Sequence, residues 1–286
     1  MQEFADAIAI KVKFVLPKLF GASKCYNLVM NKFFEFLNSS VGRKWLMALT
    51  GLFLCLFVVV HMSGNLALFK SDGGLAFNQY AVFMTTFPPI KVVSYINYAL
   101  ILLHALNGFY LVYRNQKARP IKYEGKKDNG PVKWSSRNMG LLGSILFVFI
   151  ILHMGNFWRE FHFSPMEVLK YTTNGVTGET QIAAIPYEQF VGPKHYYENG
   201  NEIVIVKNLY GEVAEAFTSP LYVLFYVISM FALSFHLMHG FQSAFQTLGI
   251  RAQNFKGIIQ GVGTAVFGVL IPLLFAAMPV YFLFFK

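Results

Sequence analysis

Charge is what this sequence has least of. Lys, Arg, Asp and Glu make up 13% of its 286 residues, where soluble domains carry about a quarter. The shortage is concentrated in five runs, approximately 45–69, 92–113, 138–158, 217–248 and 257–285, which contain none of the four residues. A helix needs about 20 apolar residues to cross a bilayer, and each run is long enough. Cysteine is nearly absent as well: Cys25 and Cys55 are too few for a disulfide framework or a cysteine metal site, and read as small hydrophobes. There is no nucleophile triad, phosphate loop or zinc spacing, and a soluble catalytic enzyme is excluded by the apolar runs. No cleavable signal peptide, internal repeat or low-complexity tract stands out.

In place of charge there are hydrophobic and aromatic side chains, 55% and 17% of the residues, with 31 Phe and 15 Tyr. The mean hydropathy is +0.47. The expected fold is an all-α integral membrane protein of five transmembrane helices. Residues 1–38 form an N-terminal segment and residues 39–286 the membrane domain. Within the former, 7–20 reads as an amphipathic, lysine-bearing run broken by Pro17 that lies on the membrane face, docks a partner or is a plain surface helix.

The basic residues divide unequally between the two sides. Seven precede the first run up to Lys44, eight lie in the connection from Arg114 to Arg137, and Arg251 and Lys256 complete that side, making seventeen. The other side holds seven, and its long connection 159–218 carries eight Glu. By the positive-inside rule the N-terminus is cytoplasmic and the C-terminus outside, in a cell inner membrane. The net charge of +10 follows that rule closely enough to argue against nucleic-acid binding. Within 159–218, residues 195–206 read His-Tyr-Tyr-Glu-Asn-Gly-Asn-Glu-Ile-Val-Ile-Val, and the Asn-Gly between β-prone runs predicts a hairpin in a small extracytoplasmic cap. His162 and His195 in this region read as solvated histidines.

Ionisable residues inside a bilayer are costly and mark function. Five of the seven histidines lie in the apolar runs: His61, His104, His153, His236 and His239, at least one in each of the first four and none in the fifth. Depth sorts them. Counting from the nearest cytoplasmic charge at about 1.5 Å per residue, His61 lies about 25 Å in and His153 about 24 Å, whereas His104 lies about 15 Å and His239 about 18 Å in. His236 sits deeper than His239, at about 22 Å. Two layers result, His61 with His153 and His104 with His239. Two imidazoles facing each other at one depth in a helical bundle are what six-coordinate haem iron requires. With both axial positions filled, such a haem carries electrons and does no chemistry on substrate. No Cys-x-x-Cys-His occurs, so attachment would be non-covalent.

Two stretches resemble a known family. They are Gly42-Arg-Lys-Trp-Leu-Met-Ala-Leu-Thr-Gly-Leu-Phe-Leu, with His61-Met62 further along, and His236-Leu-Met-His239-Gly240-Phe-Gln-Ser-Ala-Phe-Gln-Thr-Leu-Gly249. The family is the dihaem cytochrome b membrane anchor of succinate:quinone oxidoreductase (succinate dehydrogenase or fumarate reductase), in its single-anchor, five-helix form. The resemblance covers roughly residues 39–284. It implies two haems b, the distal one held by His61 and His153 and the proximal one by His104 and His239, with His236 as the alternative ligand. It also implies a flavoprotein subunit and an iron–sulphur subunit on the cytoplasmic face, which carry out the succinate or fumarate chemistry, and a membrane quinone, usually menaquinone, at the anchor. Two departures stand out. The connection 159–218 is longer than the family's minimal pattern, and no run holds an acid where some members carry one, Leu237 standing at that place.

Two other readings compete. One is a haem b subunit of a formate dehydrogenase or hydrogenase, which the spread of histidines over four spans in two layers disfavours. The other, of a different class, is a transporter with proton-carrying histidines, for which repeated halves or paired broken helices are lacking. Asn78, Gln79 and Tyr80 in the first outer connection are candidates for the quinone's hydrogen-bonding end, against a reading as ordinary loop polarity. Arg43, Lys44, Lys133, Arg137 and Arg251 are candidates for haem propionates, and Lys122, Lys126, Lys127 and Lys133 for partner docking.

Overall fold

The computed structural model describes residues 23–118, 134–250 and 253–286. The chain divides into two compact units, Met1–Met47 and Ala48–Lys286. Of the residues singled out above, 7–20, Lys122, Lys126, Lys127, Lys133 and Arg251 lie outside the described residues.

In the first unit, helix α1 (Ser23–Asn38) ends one residue before α2 (Ser40–Asn65) begins. Ser39 makes the break. Its Oγ accepts the Gly42 N–H at 3.0 Å, satisfying a donor that the new helix leaves open, and donates to the Phe36 carbonyl at 2.6 Å. A Cβ on Gly42 would collide with that same carbonyl, so the tight corner depends on glycine. Val29, Phe33 and Phe36 are exposed at helical spacing along one side of α1.

Among the described residues five helices are long and apolar enough to cross a membrane: Ser40–Phe69, Pro88–Lys117, Met139–Phe163, Pro220–Thr247 and Phe255–Phe285. The first is α2 followed by one 3₁₀ turn, Leu66–Phe69. The second is α4 (Pro88–Lys117), with proline in its first turn, where no N–H is needed. The third is α5 (Met139–His153), continued by a wider π turn, Met154–Arg159, and by Glu160–Phe163. The fourth is α7 (Pro220–Thr247), and the fifth lies within α8 (Gln253–Val262), a π stretch Gly263–Leu270 and α9 (Ile271–Phe285). Span four packs against spans three and five, while span two rests on span three. Span two exposes Val92, Tyr95, Leu102, Leu106 and Tyr113, an apolar surface that only lipid or another apolar partner can cover.

The fifth span shows how a broken helix is repaired where no water can reach. Pro272 has no N–H for the Gly268 carbonyl four residues earlier. Ser234 of span four donates its hydroxyl to that carbonyl, and the ladder widens to π pitch just before the proline. Gly268 lies close enough to Met238 that an added Cβ would sit 3.3 Å from its side chain. The two spans therefore touch across glycine.

Between the spans, α3 (Leu75–Thr86) occupies the first connection. The third connection holds a four-stranded antiparallel sheet in the order β2-β1-β4-β3, from β1 (Val168–Asn174), β2 (Thr180–Ile185), β3 (Lys194–Glu198) and β4 (Asn201–Lys207). The expected hairpin is β3–β4, turning at Asn199 and Gly200 with φ of 50° and 76°, the pair of left-handed residues that a two-residue turn needs. One face of the sheet is apolar: Leu169, Tyr171, Val204 and Val206 are buried against Leu75 and Val82 of α3. Short α6 (Leu209–Ala216) leads back to span four, capped by Asn208, whose Oδ1 accepts the Gly211 N–H at 2.9 Å.

Candidate functional site

Four of the five histidines in the spans come together in two pairs. His61 of α2 and His153 at the end of α5 have ring centres 5.8 Å apart, with planes at 87°. His104 of α4 and His236 of α7 have ring centres 6.3 Å apart, with planes at 71°. A transition metal binds an imidazole nitrogen at about 2.0 Å, with the ring centre roughly 1.1 Å behind it. Two imidazoles on opposite sides of one ion therefore have centres roughly 6 Å apart. Both pairs have that spacing.

Three helices fix the separation of the pairs independently. Thr50 touches His104 and lies eleven residues before His61 on α2. Gly143 faces His236, where a Cβ would lie 3.7 Å from Cε1, and stands ten residues before His153 on α5. Tyr226 touches His153 and stands ten residues before His236 on α7. At 1.5 Å per residue each count gives about 15–17 Å along the bundle.

Each pair is walled by specific neighbours. Phe57 stacks on His61 at 5.4 Å and 14°, and Phe275 of α9 covers it at 5.7 Å. Phe149 and Phe157, one turn either side of His153, lie 5.5 and 5.3 Å from its ring. His153 Nδ1 meets the Tyr226 hydroxyl at 3.1 Å, and His104 Nδ1 meets the Thr50 hydroxyl at 2.9 Å. In neutral imidazole one nitrogen carries hydrogen and the other a lone pair, so where the hydroxyl accepts from Nδ1–H the lone pair is on Nε2. Gly51, beside Thr50, leaves room for the ring: a Cβ there would stand 3.3 Å from His104 Cε1. One contact would have to give way to a ligand, and one nitrogen stands unpartnered. His61 Nε2 lies 3.3 Å from Asn65 Nδ2, and His236 Nδ1 is buried without a hydrogen-bond partner. Among the described residues no group of three or more His, Cys, Asp or Glu is assembled to hold a metal ion. A flat macrocycle that brings four nitrogens of its own needs only two from the protein, so paired histidines fit it.

The depth count chose His239 for the inner pair, but the ring that approaches His104 is that of His236. The count began at Arg251, and helix α7 ends at Thr247. Gly249 then takes φ of 81°, so the last residues counted do not climb at helical pitch. From the end of its helix His236 is eleven residues in and His239 eight, while His104 is ten from Arg114. The shorter rise brings His236 level with His104. His239 is half-buried on the next turn.

Asn78, proposed above for a quinone, is placed elsewhere. It is fully buried, and its amide is committed. Nδ2 donates to the Tyr171 hydroxyl at 3.1 Å and to Asn208 Oδ1 at 3.4 Å, and Oδ1 accepts the Tyr210 N–H at 2.9 Å. The Tyr171 hydroxyl in turn donates to the Gly73 carbonyl at 3.0 Å, and burial pushes its pKa up, keeping it a neutral donor. Asn78 therefore pins α3 to the sheet and has no polar atom left for a ligand. Tyr80 differs: its ring lies over Gly64, its hydroxyl reaches the Val60 carbonyl at 3.5 Å, and it borders a cleft of about 610 Å³ with Ser63, Leu66 and Lys70. Gln79, half-buried, does not line that cleft.

No family model, curated protein or solved structure matches this chain. Function is therefore argued from the histidine pairs and their surroundings. Thr50 and Tyr226 were missed in the sequence. Both are polar residues inside charge-free spans, a signal that a search beyond histidine would have caught.

Proposed function

We propose that this chain is a dihaem cytochrome b anchor that passes electrons between a soluble iron–sulphur partner and a membrane quinone, as the anchor of a succinate:quinone oxidoreductase does. The observation that carries the proposal is the pair of facing histidine pairs, two ring centres near 6 Å in each and about 15 Å between them, inside spans without charge. His61 with His153 would hold the outer haem and His104 with His236 the inner one. His239, which the family resemblance implies, is the alternative to His236.

When bound, each haem would supply a one-electron couple. The residues do the rest. Thr50 and Tyr226 hold the Nδ1 side of their histidines, which sets ring orientation and donor strength. Phe57, Phe149, Phe157 and Phe275 keep water from the outer pair. The cleft beside Tyr80 supplies the Lys70 ammonium as a donor next to apolar wall, with the Tyr80 and Ser63 hydroxyls donating to the Val60 and Val59 carbonyls, and this would suit the polar end of a quinone such as menaquinone. The seventeen basic residues assigned to one side by the positive-inside rule would make that side cytoplasmic and offer the acidic faces of a flavoprotein and iron–sulphur pair a complementary surface.

Pyridine haemochrome quantitation of the purified chain tests the reading. Two non-covalent haems b per chain are expected, and one or none in folded protein overturns it. Co-purification with a succinate-oxidising flavoprotein, in place of a formate- or hydrogen-oxidising partner, tests the choice of complex.

A further inference from the structure

Three hydrogen bonds lead away from His153 toward an exposed side chain. His153 and Asn156 lie three residues apart and face span four, where Tyr222 and Tyr226 lie four apart on one side of α7. The helices run in opposite directions, so the inner member of each pair meets the inner member of the other. His153 Nδ1 is 3.1 Å from the Tyr226 hydroxyl, the Tyr222 hydroxyl donates to that of Tyr226 at 3.1 Å, and Asn156 Nδ2 donates to Tyr222 at 2.7 Å. Exposure rises along the row: Tyr226 is 5% exposed, Tyr222 half-buried and Asn156 exposed. Asn156 sits in the π turn that starts immediately after His153, a wide pitch often found beside functional groups.

From this row we infer that Tyr226 is the positioning residue of His153, and that Tyr222 and Asn156 extend its hydrogen bonding to the outer surface, so that the outer haem's potential is adjustable there independently of the inner one. The inference rests on the functional reading above. With Nε2 given to iron, Nδ1 carries the hydrogen and the Tyr226 oxygen accepts it. An accepted Nδ1–H makes the imidazole a stronger donor and favours the ferric state. The same oxygen also accepts the Tyr222 O–H. Two donors on one oxygen compete, so Tyr222 weakens the hold of Tyr226 on His153. The inner pair has its own partner on Nδ1, Thr50, on a different helix.

The test is a potentiometric titration of both haems in purified Tyr226→Phe, Tyr222→Phe and Thr50→Val variants, with the electron paramagnetic resonance of each ferric haem. In Tyr226→Phe the ferric-to-ferrous ratio of the outer haem at fixed potential should fall about tenfold, a positive shift of about 59 mV for one electron. Tyr222→Phe should move the same haem by about threefold in the opposite direction, because it removes the competing donor and leaves His153 untouched. Thr50→Val should move the inner haem alone. An unchanged outer potential in Tyr226→Phe, or equal shifts of both haems, overturns the inference while the dihaem reading stands. If Tyr226→Phe does not assemble, Tyr222→Phe decides: no shift, or a shift of the same sign for both haems, overturns it. A parent chain with no haem overturns both readings.

Discussion

His61→Ala and His153→Ala are each expected to leave the purified chain with one haem in place of the two proposed for the parent, with the outer spectral component gone and the inner unchanged. The rings of these residues meet at 5.8 Å, and neither has a neighbouring histidine on its own helix to replace it. Removing one imidazole would leave a haem there with a single protein ligand, in a cavity whose other wall is aromatic. His104→Ala should remove the inner component in the same way. On span four, His236→Ala is expected to cost the inner haem and His239→Ala to leave both, because the His236 ring is the one 6.3 Å from His104. Absorbance and haemochrome quantitation on protein of native helical content read the result. Inner-haem loss on His239→Ala alone would return the ligand to the position implied by the family resemblance. Retention of two haems in His61→Ala and His153→Ala would dissolve the outer site altogether.

How far the sequence shows this arrangement depends on how local each signal is. The five spans are legible because the absence of charge over about 20 residues is a property of the run itself. Their ends are less so. Helix α4 begins at Pro88 and continues to Lys117, past the apolar stretch at both ends, because backbone hydrogen bonding does not stop where hydropathy does. The β3–β4 hairpin announces itself in Asn199-Gly200, and the same dipeptide at Asn174-Gly175 marks the turn between β1 and β2. There Asn174 Oδ1 accepts the N–H groups of Val176 and Thr177. That second signal was present and unused, and with it the cap reads as a sheet. Helix α3 was invisible because it is short and lies between spans, with no charge pattern to frame it.

The site divides along the same line. His61 and His153 can be matched by counting because His61 stands on unbroken helix from Lys44 and His153 on a helix that starts at Met139, two residues past Arg137. The choice on span four cannot, since Gly249 breaks the count before Arg251. Tyr226 and Thr50 depend on which helix faces which, and no spacing within one helix carries that. Asn78 is the sharpest case. A polar residue near an expected ligand site reads as ligand or as loop, and only the fold shows that its partners come from 93, 130 and 132 residues away in sequence.

Asn78→Leu is therefore expected to loosen the contact of α3 with the sheet and to leave both haem spectra in place. The leucine keeps the branch of the asparagine side chain, is larger, and makes no hydrogen bond. It strips the Tyr210 N–H of its acceptor at 2.9 Å and takes a donor from Tyr171 and from Asn208, in a position with no exposed surface. A buried group left without its partner costs about 1–3 kcal/mol, and three are disturbed here, so a loss of about 3 kcal/mol is expected. At 1.4 kcal/mol per factor of ten this is about a hundredfold faster hydrogen exchange at amides of β1 and β4 that open with the sheet. Tyr171→Phe gives the comparison. It removes the hydroxyl that donates to the Gly73 carbonyl and accepts from Asn78, but spares the Tyr210 N–H, and so should speed exchange by roughly tenfold. Neither residue contacts a histidine of the two pairs, which is why the spectra serve as the control. If Asn78→Leu leaves exchange as it was and slows quinone reduction instead, Asn78 belongs to the quinone pocket and the cleft beside Tyr80 extends to it.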